Sequence, residues 1–296
     1  MFTYPKLTSS EQSSLPKLIA PPSAIPNKFA DSTHQLFYCQ TTNGAMVLKV
    51  CNTETIEKSP FWRGANHLFA ADFPNSLGDI HLTHHFLAKN GTLSLPEFIA
   101  AGANRFVLTR FITGKDLETE QISEQWVVAL AHHIAKLHQC TYSRWGKLHA
   151  PQFSAQQWAS RLHETLSFLA QQHDTHIGEA LLFEALMQAS NIHESEFVPV
   201  MLDLRWDQFR CCQSSADNTN ILALIDLDAF VIAPRALDLI LLEYVLTPVQ
   251  WARFKHHYTQ THAWPNLAAQ KACYQVLLFL MNVLGERDLA KWMQRI

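Results

Sequence analysis

At 296 residues, 48 % hydrophobic and 17 % charged, with a formal net charge of −3, the chain is long enough to bury a large core and carries no basic footprint for nucleic acid. Its longest apolar stretches, such as ALDLILLEYVL, contain acids and fall short of a bilayer's thickness, and its first residues are polar and proline-broken rather than signal-like. Six cysteines without a CxxC pair and sixteen histidines without HExxH exclude the common disulfide and zinc patterns, so a soluble, cytoplasmic protein with reduced thiols and no membrane partner is expected.

Residues 1–28 read as an arm or loop, with four prolines after residue 15. HQLFYCQT, Asn43-Gly44 and AMVLKV then form a hairpin pattern, the strongest short-range signal of its kind. In AMVLKV, Met46, Leu48 and Val50 share one face while Val47 and Lys49 share the other. Lys49 therefore faces either solvent or a cleft. PFWRGANHLFAA, residues 60–71, predicts a helix with Pro60 in its first turn. DIHLTHHFLA, a segment ending FIAAG, and the strand RFVLTRFI complete a part read as mostly antiparallel sheet with one helix.

After Gly114 the chain turns helical. SEQWVVALAHHIAKLHQ aligns Val127, Leu130, Ile134 and Leu137, with Ser123 as N-cap. His138 at its end is either a satisfied core histidine or a brace for loops at strand ends. A second helix aligns Trp158, Leu162, Leu166 and Leu169, and IGEALLFEALMQASNI is a third. Two apolar runs follow, FVPVML and ILALI, read as a hairpin or strand pair at the centre of this part. They run into Asp203 and into Asp226 and Asp228. From about residue 236 the pattern is again helical. The architecture expected is α+β and bilobal, with a small β-rich lobe and a larger helical lobe.

Acids at the ends of buried strands need a reason, because an unpaired buried carboxylate is expensive. Asp203 can orient a hydroxyl and accept its proton. Asp226 can bind a metal directly, and the amide oxygen of Gln208 can join it; such oxygens suit magnesium together with phosphates. From the cleft side, Lys49 can hold phosphate oxygens by charge-assisted hydrogen bonds. Asp228 is a candidate second, weaker metal contact, and Arg205 is open to phosphate, substrate or a structural role.

Residues 201–208, Met-Leu-Asp-Leu-Arg-Trp-Asp-Gln, and the later Ile225, Asp226, Leu227, Asp228, Ala229, Pro234, Asp238 and Leu239 resemble the aminoglycoside phosphotransferase and fructosamine-kinase family, which has a protein-kinase-like fold. LAHHIAKLH and YSRWGKL are also similar to family segments. The resemblance covers about residues 30 to 245. It implies an ATP- and Mg2+-dependent phosphotransferase acting on a small-molecule hydroxyl of sugar, ketosamine, amino-alcohol or aminoglycoside type. In that frame Asp203 is the catalytic aspartate, and Gln208 and Asp226 are the metal ligands. Lys49, Ser32, Thr33 and backbone groups from Arg110 to Ile112 meet the nucleotide, with Val107 or Leu108 beside its ring. Asp238 caps or braces the following helix. The domains are then an arm over 1–28, a nucleotide-binding lobe over 29–112, and a helical lobe with catalytic and metal-binding loops over 113–296.

The chain departs from the family in three places. Met201-Leu202 replace the His-Gly before the catalytic aspartate. The stretch ADSTHQLFYC lacks glycine, which hinders close backbone approach to phosphate. The helix after Lys49 has Ala65 where a lysine-pairing glutamate belongs, with Glu54 and Glu57 as substitutes. These departures support an alternative, a non-catalytic nucleotide-binding or interaction protein of the same fold. The late aromatics Tyr244, Trp251, Tyr258, Trp264, Tyr274 and Trp292 are either core or, in one or two cases, a sugar-stacking surface. The acceptor and the oligomeric state are not written in the sequence.

Overall fold

The structure, a computed structural model, describes residues 2–27, 32–117, 122–172, 177–213 and 220–294. Ala30 and Asp31 of the glycine-free stretch, and the end of the second helix at His173, lie outside these residues.

The small lobe is built on one antiparallel sheet. A short helix, α1 (Ser9–Gln12), leads to β1 (Ser23–Ile25), β2 (His34–Thr41) and β3 (Gly44–Cys51). Helices α2 (Thr53–Lys58), α3 (Pro60–Phe69) and α4 (Ile80–Asn90) follow, and then β4 (Phe98–Gly102) and β5 (Phe106–Arg110). The sheet order is β1-β2-β3-β5-β4. The chain reverses over Thr42 and Asn43, and Gly44 takes a φ of +102° that a side chain would resist. Alternation in β3 works as read: Met46 and Leu48 are sealed in the small-lobe core and Lys49 faces the other way.

Two segments differ from their reading. The supposed arm is part of this lobe: β1 pairs with β2, and Tyr4, Leu7 and Leu15 pack on Met46, Leu48, Val50 and Phe106. DIHLTHHFLA is largely the helix α4, because Ile80, Thr83 and Leu87 turn inward at helical spacing.

The helix α3 belongs to the other core. Its buried Trp62, Ala65, Leu68 and Phe69 join the large-lobe cluster, and a Cβ on Gly64 would stand 2.6 Å from Cγ of Met281. A larger residue there would have to displace the Met281 side chain.

The large lobe opens with β6 (Lys115–Asp116), α5 (Glu124–Leu137), β7 (Arg144–Lys147), β8 (Ala150–Ser154), α6 (Gln157–Ala170) and α7 (Glu179–Asn191). Strands β9 (Val198–Met201), β10 (Phe209–Gln213), β11 (Asn220–Leu224) and β12 (Phe230–Ala233) carry the acidic loops. Helices α8 (Arg235–Val245), α9 (Pro248–Tyr258), α10 (Lys271–Leu280) and α11 (Leu289–Gln294) close the lobe. Ser123 stands at the N-cap of α5, but its side chain makes no capping bond.

The acid-bearing strands are not partners of each other. β9 pairs with β12 in a sheet of order β8-β7-β12-β9, while β11 pairs with β10 in a sheet of order β11-β10-β6. The sequence reading missed β10, whose FRCCQ is short and has mixed polarity. Asp203 and Asp226 thus leave two different sheets, and the loops between those sheets bring them to one place. The bilobal α+β architecture stands as expected.

The candidate active site

The site lies where β3 of the small lobe faces the loops after β9 and β11. Lys49 Nζ stands 2.8 and 2.9 Å from the two carboxylate oxygens of Asp226 and 2.6 Å from Oδ2 of Asp228. Burial alone favours a neutral amine, but the two carboxylates reverse this and hold the lysine more basic than usual. Burial likewise pushes Asp226 up, yet the adjacent ammonium overrides it and keeps this carboxyl below its ordinary range. Asp228 is raised to about 6 by burial and by the charge of Asp226, against the pull of Lys49. Lys49 is therefore a cleft residue paired with acid, and the solvent-facing reading falls.

Asp203 sits on the same wall. Its Oδ2 accepts a hydrogen bond from Gln208 Nε2 at 2.8 Å, and Arg205 Nε stands 3.1 Å from Oδ1. Burial in the cleft pushes the carboxyl up to about 7, with Arg205 pulling the other way. Arg205 also reaches Asp207, 3.4 Å away, so its pairing ties the loop to itself. The backbone amide of Ile225 donates to the carbonyl of Gln208 at 2.9 Å, which fastens the residue before Asp226 to the Asp203 loop.

Two cavities meet at this cluster. One, of about 440 Å3, is lined by Tyr38, Val47, Val107, Arg110, Phe111 and Ile112. The other, of about 300 Å3, is lined by Thr33, Phe61, Trp62, Asp203 and Asn282. Ser32, Lys49, Arg205, Gln208, Asp226 and Asp228 form the wall common to both. Both volumes fall in the range of small-molecule and cofactor sites.

Ser32 and Thr33 line the site, but their hydroxyls are engaged locally. Ser32 Oγ donates to the His34 carbonyl, and Thr33 Oγ1 accepts from Trp62 Nε1. Arg110 turns its guanidinium outward to Glu97, at 2.6 Å. Val107 faces the cavity, whereas Leu108 is fully enclosed in the small-lobe core, as strand alternation requires. Sequence reasoning missed Arg210, which lies on the unread β10. Its Nη1 donates to the Ile112 carbonyl at 2.8 Å, its Nε pairs with Asp116, and it sits over the Phe111 ring.

Glu54 and Glu57, the suggested partners for Lys49, are exposed on α2 and do not take that part. Asp238 lies in the first turn of α8 and is fully enclosed, next to the Met201 backbone and 3.2 Å from Nε2 of His138. His138 Nδ1 meets the Tyr258 hydroxyl at 2.8 Å. This buried chain supports the end of β9, where the family's His-Gly is missing. Tyr244, Tyr258, Tyr274 and Trp292 are core, Trp251 and Trp264 pack against it, and none of the six lines either cavity.

The oxygen donors fit a magnesium site. Asp226 offers a carboxylate, and Gln208 spends its amide nitrogen on Asp203, which leaves its oxygen for a cation. Among the described residues no three His, Cys, Asp or Glu side chains form a metal cage.

A family model described as "Phosphotransferase enzyme family" matches residues 28–269. A search of curated proteins found no match. Among solved structures, the chain is similar in fold to macrolide 2'-phosphotransferase MphH from Brachybacterium faecium, with a TM-score of 0.58 at 14 % identity, covering 97 % of this chain and 94 % of that one. A putative fructosamine-3-kinase from Haemophilus somnus 129PT gives 0.58 at 12 % identity, covering 93 % and 90 %. The ADP-bound aminoglycoside phosphotransferase APH(2'')-Ib gives 0.55 at 13 % identity, covering 97 % and 92 %.

Proposed function

The chain belongs to the phosphotransferase enzyme family, and from that premise we propose how its own residues move a γ-phosphoryl group from ATP to a small-molecule hydroxyl. ATP and Mg2+ are the cofactors of this activity. The 440 Å3 cavity would receive the base and ribose, with Val107 and the backbone from Arg110 to Ile112 among its lining. Nucleotide binding falls to residues 29–112, and the catalytic and metal-binding loops to residues 113–296. Lys49, Ser32 and Thr33, which line the cleft, would face the triphosphate. Asp226 and the Gln208 amide oxygen would hold magnesium, which would neutralise phosphate charge. Lys49 steadies the phosphate oxygens.

The acceptor takes the 300 Å3 cavity, where Asp203 lies. Asp203 orients the hydroxyl and receives its proton, and its raised pKa suits a base working near neutral pH. Arg205 and Gln208 fix the carboxylate, so most of the barrier is lowered by positioning and electrostatics. The observation that carries this reading is the common wall: one ionic cluster borders a nucleotide-sized cavity and an acceptor-sized cavity. The acceptor proposed is a sugar, ketosamine, amino-alcohol or aminoglycoside; the names of the similar structures mention a macrolide, a fructosamine and an aminoglycoside. Six free cysteines, and the absence among the described residues of any helix long and apolar enough to cross a membrane, support a cytoplasmic location.

The test is ATP consumption with a panel of hydroxyl compounds, comparing the natural chain with Asp203→Asn. Acceptor-dependent turnover that the asparagine variant loses is expected. Nucleotide binding with no turnover on any acceptor favours the non-catalytic alternative, and full turnover by the variant removes Asp203 from its role.

A further inference from the structure

We propose that Asp228 is the positioning residue for Lys49: it anchors the ammonium from the large lobe, does the work of the glutamate missing from the helix, and so frees Asp226 for the metal. This rests on the nucleotide-site reading above. Asp228 Oδ2 lies 2.6 Å from Lys49 Nζ, and its side chain is 7 % exposed. An ammonium as enclosed as this one needs a carboxylate wherever the nucleotide stands. Asp226 cannot serve alone, because its two oxygens, both now within 2.9 Å of Nζ, are the ones that the metal requires.

The small lobe offers no substitute among its described residues. Ala65 is 1 % exposed and packed in the large-lobe core with the rest of the buried face of α3. Glu54 and Glu57 are exposed on α2. By contrast, Asp228 is already built into the cleft. Its backbone amide lies 3.4 Å from Asp226 Oδ1, and its carboxylate lies 3.5 Å from His34 Nε2 at the start of β2. Asp228 thus touches β2 and β3 of the small lobe from a loop of the large one. The lysine's position then depends on this contact between lobes and not on the placement of α3.

Calorimetric titration with AMP-PNP in excess Mg2+, and separately with adenosine, tests the proposal on the full chain and on Asp228→Asn. Loss of the anchor is expected to weaken Mg2+–AMP-PNP by about tenfold or more, while adenosine, which has no phosphates, binds as before. The Mg2+ concentration that gives half of the tightening should also rise, because Asp226 stays with Lys49. A folded Asp228→Asn that binds Mg2+–AMP-PNP like the natural chain overturns the proposal, as does an equal loss for both ligands, which marks a merely structural role. Should the asparagine variant fail to fold, Asp228→Ser, smaller and also neutral, carries the same comparison. If the natural chain itself shows no Mg2+-dependent affinity, the nucleotide-site reading fails before any variant is made, and the inference falls with it.

Discussion

Two clusters of titratable groups in this molecule look alike on paper and do different work. His138, Asp238 and Tyr258 form a closed chain: the histidine and aspartate are fully enclosed, and none of the three lines either cavity at the cleft. Lys49 and Asp228 are largely enclosed, while the Asp226 side chain is 31 % exposed, and the three form a wall shared by cavities of about 300 and 440 Å3. Burial and pairing are common to both, so neither property marks a site. Room beside the charge does. The closed cluster holds the end of β9 and thereby the loop that carries Asp203, while the open cluster is the one that the proposed function sets against phosphate.

The comparison breaks most sharply at Asp226. Asp226→Ala is expected to lower turnover by about a thousandfold or more, through loss of a metal ligand and of charge compensation, with the fold retained by circular dichroism. Asp203→Asn should lower kcat by about 10^2- to 10^4-fold and leave the KM for ATP nearly unchanged. In the closed cluster the effect should move from rate to stability. His138→Leu strands a buried carboxylate and should cost about 3–5 kcal/mol in urea denaturation, while the folded fraction keeps its ATP affinity.

A smaller effect follows from pH. Because Asp203 titrates at about 7, acceptor-dependent kcat/KM should climb as pH rises through that value and the base form fills. The sign for stability is opposite. The folded state holds this proton more tightly than the unfolded chain does, so the contribution is full below the unfolded value of about 4 and is lost as pH rises toward about 7. Asp203→Asn should therefore gain stability relative to the natural chain at pH 8, measured by thermal denaturation.

Much of the large-lobe side of the site was legible because its motif is local. Asp203 to Gln208 spans six residues, and Asp226 follows an apolar run that reads as a strand. The alternation around Lys49 was legible for the same reason. What escaped was set by tertiary contact. Nothing local in LDAF shows that Asp228 would meet a lysine 179 positions earlier in the chain. Ala65 gave no sign that α3 would bury its face in the large lobe. Leu108 and Val107 were distinguishable only once the core side of β5 was known. FRCCQ is too short and mixed to reveal β10, and Arg210 was missed with it. DIHLTHHFLA fits helical spacing at Ile80, Thr83 and Leu87, which the reading of a sheet-rich lobe obscured.

The central claim is that Lys49, Gln208 and Asp226 converge on one magnesium–triphosphate. The most direct measurement is the melting temperature with millimolar ATP, taken with Mg2+ and with a chelator, on the natural chain and on Asp226→Asn. A clear rise for the natural chain that requires Mg2+ and disappears in the variant is the result predicted. No rise, or a rise that is indifferent both to Mg2+ and to Asp226, would contradict it.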